Sequence, residues 1–392
     1  MVTTCDVAII GGGVIGSAVA YFLAVDPDFD GRIAVVERDP SYEACSTNRS
    51  AGSIRQQFST PENIAMSLFG RAFLDDVPEV LAVDGEKPEL GFVERGYLFL
   101  ASEATRGALE ASHAIQREHG ADNMLLEPDE IATRYPWLTT DGVVLASLGL
   151  SGEGWFDPAS LLQAFRRKAR ALGVDYIKDE VSGIEHRHGQ VQTLKLAGGG
   201  RLACGAAVNA AGPYAGRVAA LAGIALPVTA KKRFVFVFDC RAELPGCPLV
   251  IDPDGVYFRP ESGKFIGGVS PGPERDPDCF DLEVDYNWFD EMVWPRLAAR
   301  VPAFEAIKMA GAWAGHYDYN TVDQNAVLGP HPKLANFYFA NGFSGHGLQQ
   351  SPAAGRAIAE LIVHGHYRAI DLRRFGYARF EAGEPVREIA VV

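Results

Sequence analysis

The chain's 392 residues are enough for about two domains, each with its own core. Its 36 Lys and Arg stand against 50 Asp and Glu, a formal net charge of −14 with no basic run; nucleic acid is excluded as an expected partner, because the electrostatic driving term would be repulsive. At 47% hydrophobic and 22% charged the composition is that of a globular protein, and no apolar run reaches the ~18 residues of a membrane span.

The run Cys5 to Ile10, "CDVAII", is apolar and long enough for one buried strand. It has no basic lead and no cleavage site, so it reads as a first strand rather than a signal peptide, and a cytoplasmic location is expected. It leads into "GGGVIG", where Gly11, Gly13 and Gly16 meet G-x-G-x-x-G around Val14 and Ile15. Among 42 glycines that match alone is weak, and a glycine-rich packing turn is the alternative. The flanks decide. "SAVAYFLAV" suits a helix, and "GRIAVVERD" reads as a second buried strand ending at Glu37, twenty-one residues past Gly16. Strand, glycines, helix, strand and acid spell a dinucleotide fingerprint. The glycines permit the tight turn and a close pyrophosphate, the helix N-terminus faces the phosphates, and Glu37 accepts from ribose hydroxyls.

Further on, "ASLLQAFRRKARALG" is a helix opened by the cap in "DPAS". "VDYIKDEV" alternates like a strand, and "SGIEHRHGQVQTLKLAGGGRLAC" is a meander turning at its glycines. "CGAAVNAAGPYAG" returns as a small-residue strand that breaks at a Gly-Pro turn before a helix in "RVAALAGI". A meander between parallel strands fits flavin-binding two-dinucleotide folds better than nicotinamide dehydrogenases, and Ala210, Ala211 and Gly212 would let the backbone pass close to FAD. The next stretch is strand-rich: "KKRFVFVFDC", "GVYFRPESGKFIGGV", then the amphipathic "YNWFDEMVWPRLAARVPAFE". Near the end, "NFYFANG" is a strand and "FSGHGLQQSPAAG" a glycine-rich entry to the helix "RAIAELIVHG". That helix N-terminus could face the flavin's N1–C2=O edge, which gains negative charge on reduction. The expected class is α/β: a discontinuous Rossmann-like FAD-binding domain of residues 1–84, 156–222 and 320–392, with a strand-rich α+β substrate domain of residues 85–155 and 223–319. The cysteines Cys5, Cys45, Cys204, Cys240, Cys247 and Cys279 have no zinc spacing, and His364 and His366 form an isolated H-x-H, so no metal is expected.

Together, "DVAIIGGGVIGSAVAYFLA", "VNAAGPYAG", "GVYFRP…GKFIGG" and "NGFSGHGLQQSPAAGRAIAELI" resemble the D-amino-acid oxidase (DAO) superfamily of FAD-dependent amine oxidoreductases, in its sarcosine oxidase and dimethylglycine dehydrogenase branch. "STNRSAGSIRQQFSTPENIAMS" and "GFSGHGLQQ" are similar to the FAD-dependent oxidoreductase domain-containing proteins within it. The resemblance spans essentially the whole chain. It implies FAD and oxidation of the C–N bond of a small secondary or N-substituted amino acid, sarcosine-, dimethylglycine-, opine- or D-amino-acid-like, by hydride transfer to flavin N5 and hydrolysis of the imine. Beyond the first glycines and Glu37, it implies FAD contacts from Arg38, from Ser46, Asn48, Arg49 and Ser50, and from Val181, Ala211 and Gly212. The late junction would add Gly342, Phe343, Ser344, Gly345, His346, Gly347 and Leu348.

Arg55 falls where sarcosine oxidases hold the substrate carboxylate, while their second cation, the Lys of "GFSGHGFK", is Gln349 here. Tyr257 and His316 are the other catalytic candidates, with Arg259, His346, Tyr317 and Tyr319 as further polar groups on the substrate side. The covalent-attachment Cys is missing from "AGHYDYNTVDQNAVLG", which has Gly315 and His316, and Arg49 stands where a "STWHAAG"-like motif has its His; non-covalent FAD is implied. In "SGKFIGG" Lys264 sits one position early and Phe265 takes the place of the oxygen-activating lysine, so the acceptor is open between oxygen and a carrier. Two other readings stay open: a non-catalytic FAD-containing assembly or scaffold protein, and the flavin subunit of a hetero-oligomeric amine or opine dehydrogenase.

Overall fold

The computed structural model describes residues 2–389; residue 1 and residues 390–392, the outermost positions of the expected FAD-binding unit, lie outside it. Two eight-stranded sheets organise the molecule. In the first, Arg201–Asn209, Val2–Ile10, Ile33–Glu37 and Asp175–Lys178 run parallel side by side, and Leu334–Asn341 adds on parallel to Arg201–Asn209. These strands read as continuous apolar runs because both faces are covered. On one face Val7, Ile9 and Val35 pack under the helices Val14–Val25 and Gly347–His364; on the other, Ala8, Ile10, Ala34 and Val36 meet Ile184, Val191 and Leu194 of the meander. "VDYIKDEV" proves to be two strands, Asp175–Lys178 and Val181–Arg187, because the chain turns at Asp179–Glu180 from the parallel edge into the meander.

The C-terminal helix starts at Gly347, eight residues before the expected entry ends at Gly355, and it contains Pro352. Proline has no N–H for the Leu348 carbonyl one turn back. Ser351 Oγ donates to that carbonyl instead, at 2.8 Å, so the helix passes through. Gly355 then lets this helix press on the first one: a Cβ there would lie 2.7 Å from the Ala18 backbone.

The second sheet has the order Lys308–Asn320, Val228–Asp239, Lys264–Gly268, Tyr257–Glu261, Leu249–Ile251, Tyr97–Ala101, Leu145–Gly149, Asn123–Leu126. Its period-two alternation sends Phe236, Phe238, Phe258 and Phe265 into a core with Phe289, Val293, Leu297 and Phe304. The last four come from the amphipathic stretch, which forms three short helical pieces, Phe289–Val293, Trp294–Arg300 and Pro302–Ala306, the last two opening at the prolines 295 and 302. The opposite face of the sheet carries Tyr97, Leu249, Ile251 and Tyr257. The strands of the first sheet fall in residues 1–84, 156–222 and 320–392, and those of the second in residues 85–155 and 223–319, apart from Asn320. A small third sheet, Ser53–Ile54, Gly154–Trp155 and Val93–Glu94, ties the two groups together. No helix of the described residues is long and apolar enough to cross a membrane.

Candidate active site

A cavity of about 320 Å³ lies between the carboxyl ends of the parallel strands and the second sheet. Ligands of open α/β sheets bind at such strand ends. Gly11, Gly13, Val14, Ile15, Glu37, Arg38, Val181, Ala211 and Gly212 line this part of it. The three fingerprint glycines do different jobs. Gly11 has φ +99°, a conformation L side chains avoid. Gly16 does not line the cavity; a Cβ there would collide with the Gly11 carbonyl oxygen, so it serves the close packing of helix on turn. Gly13 has φ −62° and ψ −172°, open to any residue, and an added Cβ would meet only Cys45 Sγ at 3.4 Å and Thr47 Oγ1 at 3.6 Å. Nothing among the described residues requires glycine at 13; the missing side chain leaves space over the helix N-terminus, where an anionic ligand would sit.

Glu37 is fixed by two backbone donors: Gly12 N–H to Oε2 at 2.7 Å and Asp39 N–H to Oε1 at 2.8 Å. Arg38 stacks on Tyr214, its Cζ 3.7 Å from the ring centre. Arg49 lines the cavity with its guanidinium held by the Glu43 and Ala314 carbonyls, at 2.8 and 3.1 Å. Ser46 and Ser50 also line it, and Ser46 Oγ is buried with no partner among the described residues. Asn48 does not: its Nδ2 donates to the Tyr42 carbonyl at 3.1 Å, turning the side chain into the loop. Gly342 and Ser344 are also off the lining. With φ of +74° and +53° they shape the turn that presents Phe343, Gly345, His346, Gly347 and Leu348, all of which line it.

At the other end the structure brings together Arg55, Tyr257, His316 and Gln349. Arg55 is 3% exposed, so it is no surface salt-bridge partner. Its Nη1 donates to the Gln57 carbonyl, its Nη2 lies 3.0 Å from His346 Nε2, and its Cζ stands 4.0 Å over the Phe58 ring. Gln349 Oε1 accepts the Arg55 backbone N–H at 2.7 Å. Burial, then the Arg55 charge, hold His346 well below the usual histidine range, so its ring is neutral and Nε2 is free to accept from the guanidinium. Burial lowers the Arg55 pKa, and the buried carboxylates Glu388 and Glu153 oppose that. Glu153 is held by Gln56 N at 2.6 Å, Gln57 Nε2 at 2.9 Å and Tyr97 N at 3.1 Å; Glu388 is held by Ser59 N at 2.8 Å, Thr60 Oγ1 at 2.9 Å and Asn63 Nδ2 at 3.0 Å. Burial pushes the Glu153 carboxyl up, and its hydrogen-bond donors and the Arg55 charge oppose that. His316 Nε2 is 2.9 Å from the Asp281 carbonyl, and burial lowers its pKa. Burial raises the phenols of Tyr257 and Tyr317, and takes that of Tyr97 to about 12, so all three are neutral. Asp318, pushed by burial to about 6, accepts from Gly342 N at 2.7 Å and Phe343 N at 3.2 Å.

The family model for FAD dependent oxidoreductases, DAO, matches residues 6–361. This chain belongs to the DAO family. Its cofactor is FAD. FAD-dependent oxidoreductase domain-containing protein 1 of Bos taurus is 46% identical over 99% of this chain and 87% of its own. Glycine oxidase of Geobacillus kaustophilus (strain HTA426) is 29% identical over 95% of this chain and 97% of its own. The crystal structure of L-proline dehydrogenase from P. horikoshii superposes with a TM-score of 0.86 at 27% identity, covering 98% of this chain and 100% of that one.

The residues present fit FAD. Gly13 leaves open space at the helix N-terminus that a pyrophosphate would fill, the Glu37 carboxylate lines the same part of the cavity and would accept from a ribose, and the unpartnered Ser46 Oγ would offer a further polar contact. Other expectations for this DAO-family chain are corrected. Phe265 stacks on Phe238 with ring centres 5.7 Å apart, inside the phenylalanine core, and Lys264 pairs with Asp239 at 2.7 Å. Neither reaches the cavity, and no lysine is among its described lining residues; the cations there are Arg38, Arg49, Arg55 and Arg233. Arg259 turns to the Ala51 carbonyl and Glu261, and it and Tyr319 are off the lining. The sequence reading missed Tyr97, Arg233, Val235, Leu249, Ile251 and Asp318, which do line it. Alternation in "KKRFVFVFDC" already groups Arg233 with Val235 but does not tell which face meets the ligand.

Proposed function

We propose that the protein oxidises the C–N bond of a small secondary or N-substituted amino acid. The observation that carries this is Arg55: a buried guanidinium, kept charged by remote carboxylates, on the wall of the cavity that the fingerprint opens. A substrate carboxylate is the ligand such a fork fits. Bound FAD supplies the two-electron acceptor. The chain's residues bind and orient: Arg55 holds the carboxylate, neutral His346 holds Arg55, and Gln349, whose Oε1 is committed to the Arg55 N–H, has Nε2 left to donate. The neutral tyrosines 97, 257 and 317 offer an amine no anionic partner, which favours its unprotonated form, the one whose lone pair can make C=N as the neighbouring C–H leaves with its electron pair. Water then splits the C=N bond into a carbonyl compound and a shorter amine.

The lysine-free lining supports a carrier rather than oxygen as acceptor. Turnover of N-methylglycine and related N-alkyl amino acids with a dye acceptor is expected to release one carbonyl product per dye reduced, and the reduced enzyme to reoxidise slowly in air. A protein that keeps its FAD but releases no carbonyl compound from any such amine is a scaffold, and the proposal is wrong.

A further inference from the structure

The substrate end of the cavity is closed by the uncovered face of the second sheet. Leu249 pairs in register with Tyr97, and Ile251 with Phe99 and Tyr257, so these side chains share one face; Val235 lines the same cavity. Arg55 stands beside this wall, its Cζ 5.2 Å from the Phe99 ring. The wall is electrically finished. Its cation, Arg233, is already matched to Asp276 by two hydrogen bonds of 2.8 and 2.9 Å. Among the described lining residues the acids are Glu37, Asp39, Asp179 and Glu180, at or just beyond the strand ends of the first sheet, and Asp318, whose carboxylate is taken by Gly342 and Phe343. A second charge on the substrate lying against this wall would lose its water and meet only Arg233, whose charge Asp276 already matches. An apolar group would gain contact with Val235, Leu249 and Ile251.

We infer that the substrate is a monocarboxylate whose nitrogen or α-carbon carries an uncharged, branched or aromatic arm larger than methyl, seated on Val235, Leu249 and Ile251. The inference rests on the amine-oxidising reading for its reaction, but the selectivity of the wall can be measured by binding alone. FAD-loaded protein is titrated with three carboxylates that it cannot oxidise as amines: acetate, 4-methylpentanoate and glutarate. Binding is read from the absorbance of the bound FAD and by calorimetry. Each methylene buried on the wall is worth roughly fourfold; 4-methylpentanoate is therefore expected to bind at least tenfold tighter than acetate, and glutarate no tighter than acetate. Leu249→Ala is expected to shrink the 4-methylpentanoate-to-acetate ratio by about threefold or more. Equal affinities, tightest binding by glutarate, or no binding by any of the three would overturn the inference. If the expected order holds while no amine is turned over, the wall stands and the proposed reaction falls; turnover with the opposite order removes the wall alone.

Discussion

The two ends of the cavity are built differently. At the nucleotide end the glycine turn and Glu37 come from one contiguous unit, Val2–Glu37, whose shape is a matter of backbone: a left-handed Gly11, a Gly13 without a side chain, a helix N-terminus. The substrate end is a matter of side chains from distant segments; the Arg55–His346 contact spans 291 residues of sequence. A backbone-shaped site has no substitute for the atoms it leaves out, so one added side chain abolishes it. A side-chain-shaped site has several partners for each group and fails by degrees.

The largest expected effect separates the glycines. Gly13→Val should give a folded protein without FAD, because the valine enters ligand space while its backbone is unstrained. Gly16→Val should instead damage the fold, since its Cβ meets the Gly11 carbonyl. Bound FAD per chain and the apoprotein melting temperature distinguish them; a Gly13→Val protein that retains FAD breaks the comparison. Next comes Arg55→Ala. Loss of a charge-assisted contact is worth about 1.5–3 kcal/mol, so carboxylate binding should weaken roughly 10- to 150-fold with FAD content unchanged. Arg55→Lys should recover only part, because an ammonium cannot serve the Gln57 carbonyl, His346 and a carboxylate as the planar fork does.

The smallest effect concerns Asp318 and has a pH sign. Its carboxyl is raised from 3.8 to about 6, so between those values the folded state binds more protons than the unfolded one. Stability from the protonated form is therefore full below about 3.8 and lost as pH rises through 6. Asp318→Asn keeps an acceptor for Gly342 and Phe343 and carries no charge. At pH 7.5 it should be more stable than the native protein by about 1–2 kcal/mol, an advantage that disappears toward pH 4. Thermal melts of both proteins across that range decide it; an advantage that grows toward pH 4 would contradict the assignment.

The same difference explains what the sequence could and could not tell. Strand, glycines, helix and Glu37 are spaced within one unit by the ligand itself, so their spacing is readable. The start of the last helix was hidden because Pro352 signals a break and only the fold shows Ser351 Oγ in the place of the missing N–H. Phe265 was assigned to the wrong surface because alternation fixes which residues share a face but not what that face meets. Gln349 reads as a replaced lysine facing the substrate. In the structure its Oε1 takes the Arg55 N–H, so a lysine there would leave that buried donor without its acceptor.

The most direct measurement of the central claim, that one cavity joins FAD to a carboxylate-bearing amine through Arg55, is anaerobic stopped-flow reduction of the bound flavin by N-alkyl amino acids. The native protein should bleach with a rate that saturates in substrate, and Arg55→Ala should need roughly 10- to 150-fold more substrate to reach half that rate. Absence of bleaching by every such amine with FAD fully bound, or saturation at the same concentration in Arg55→Ala, would contradict it.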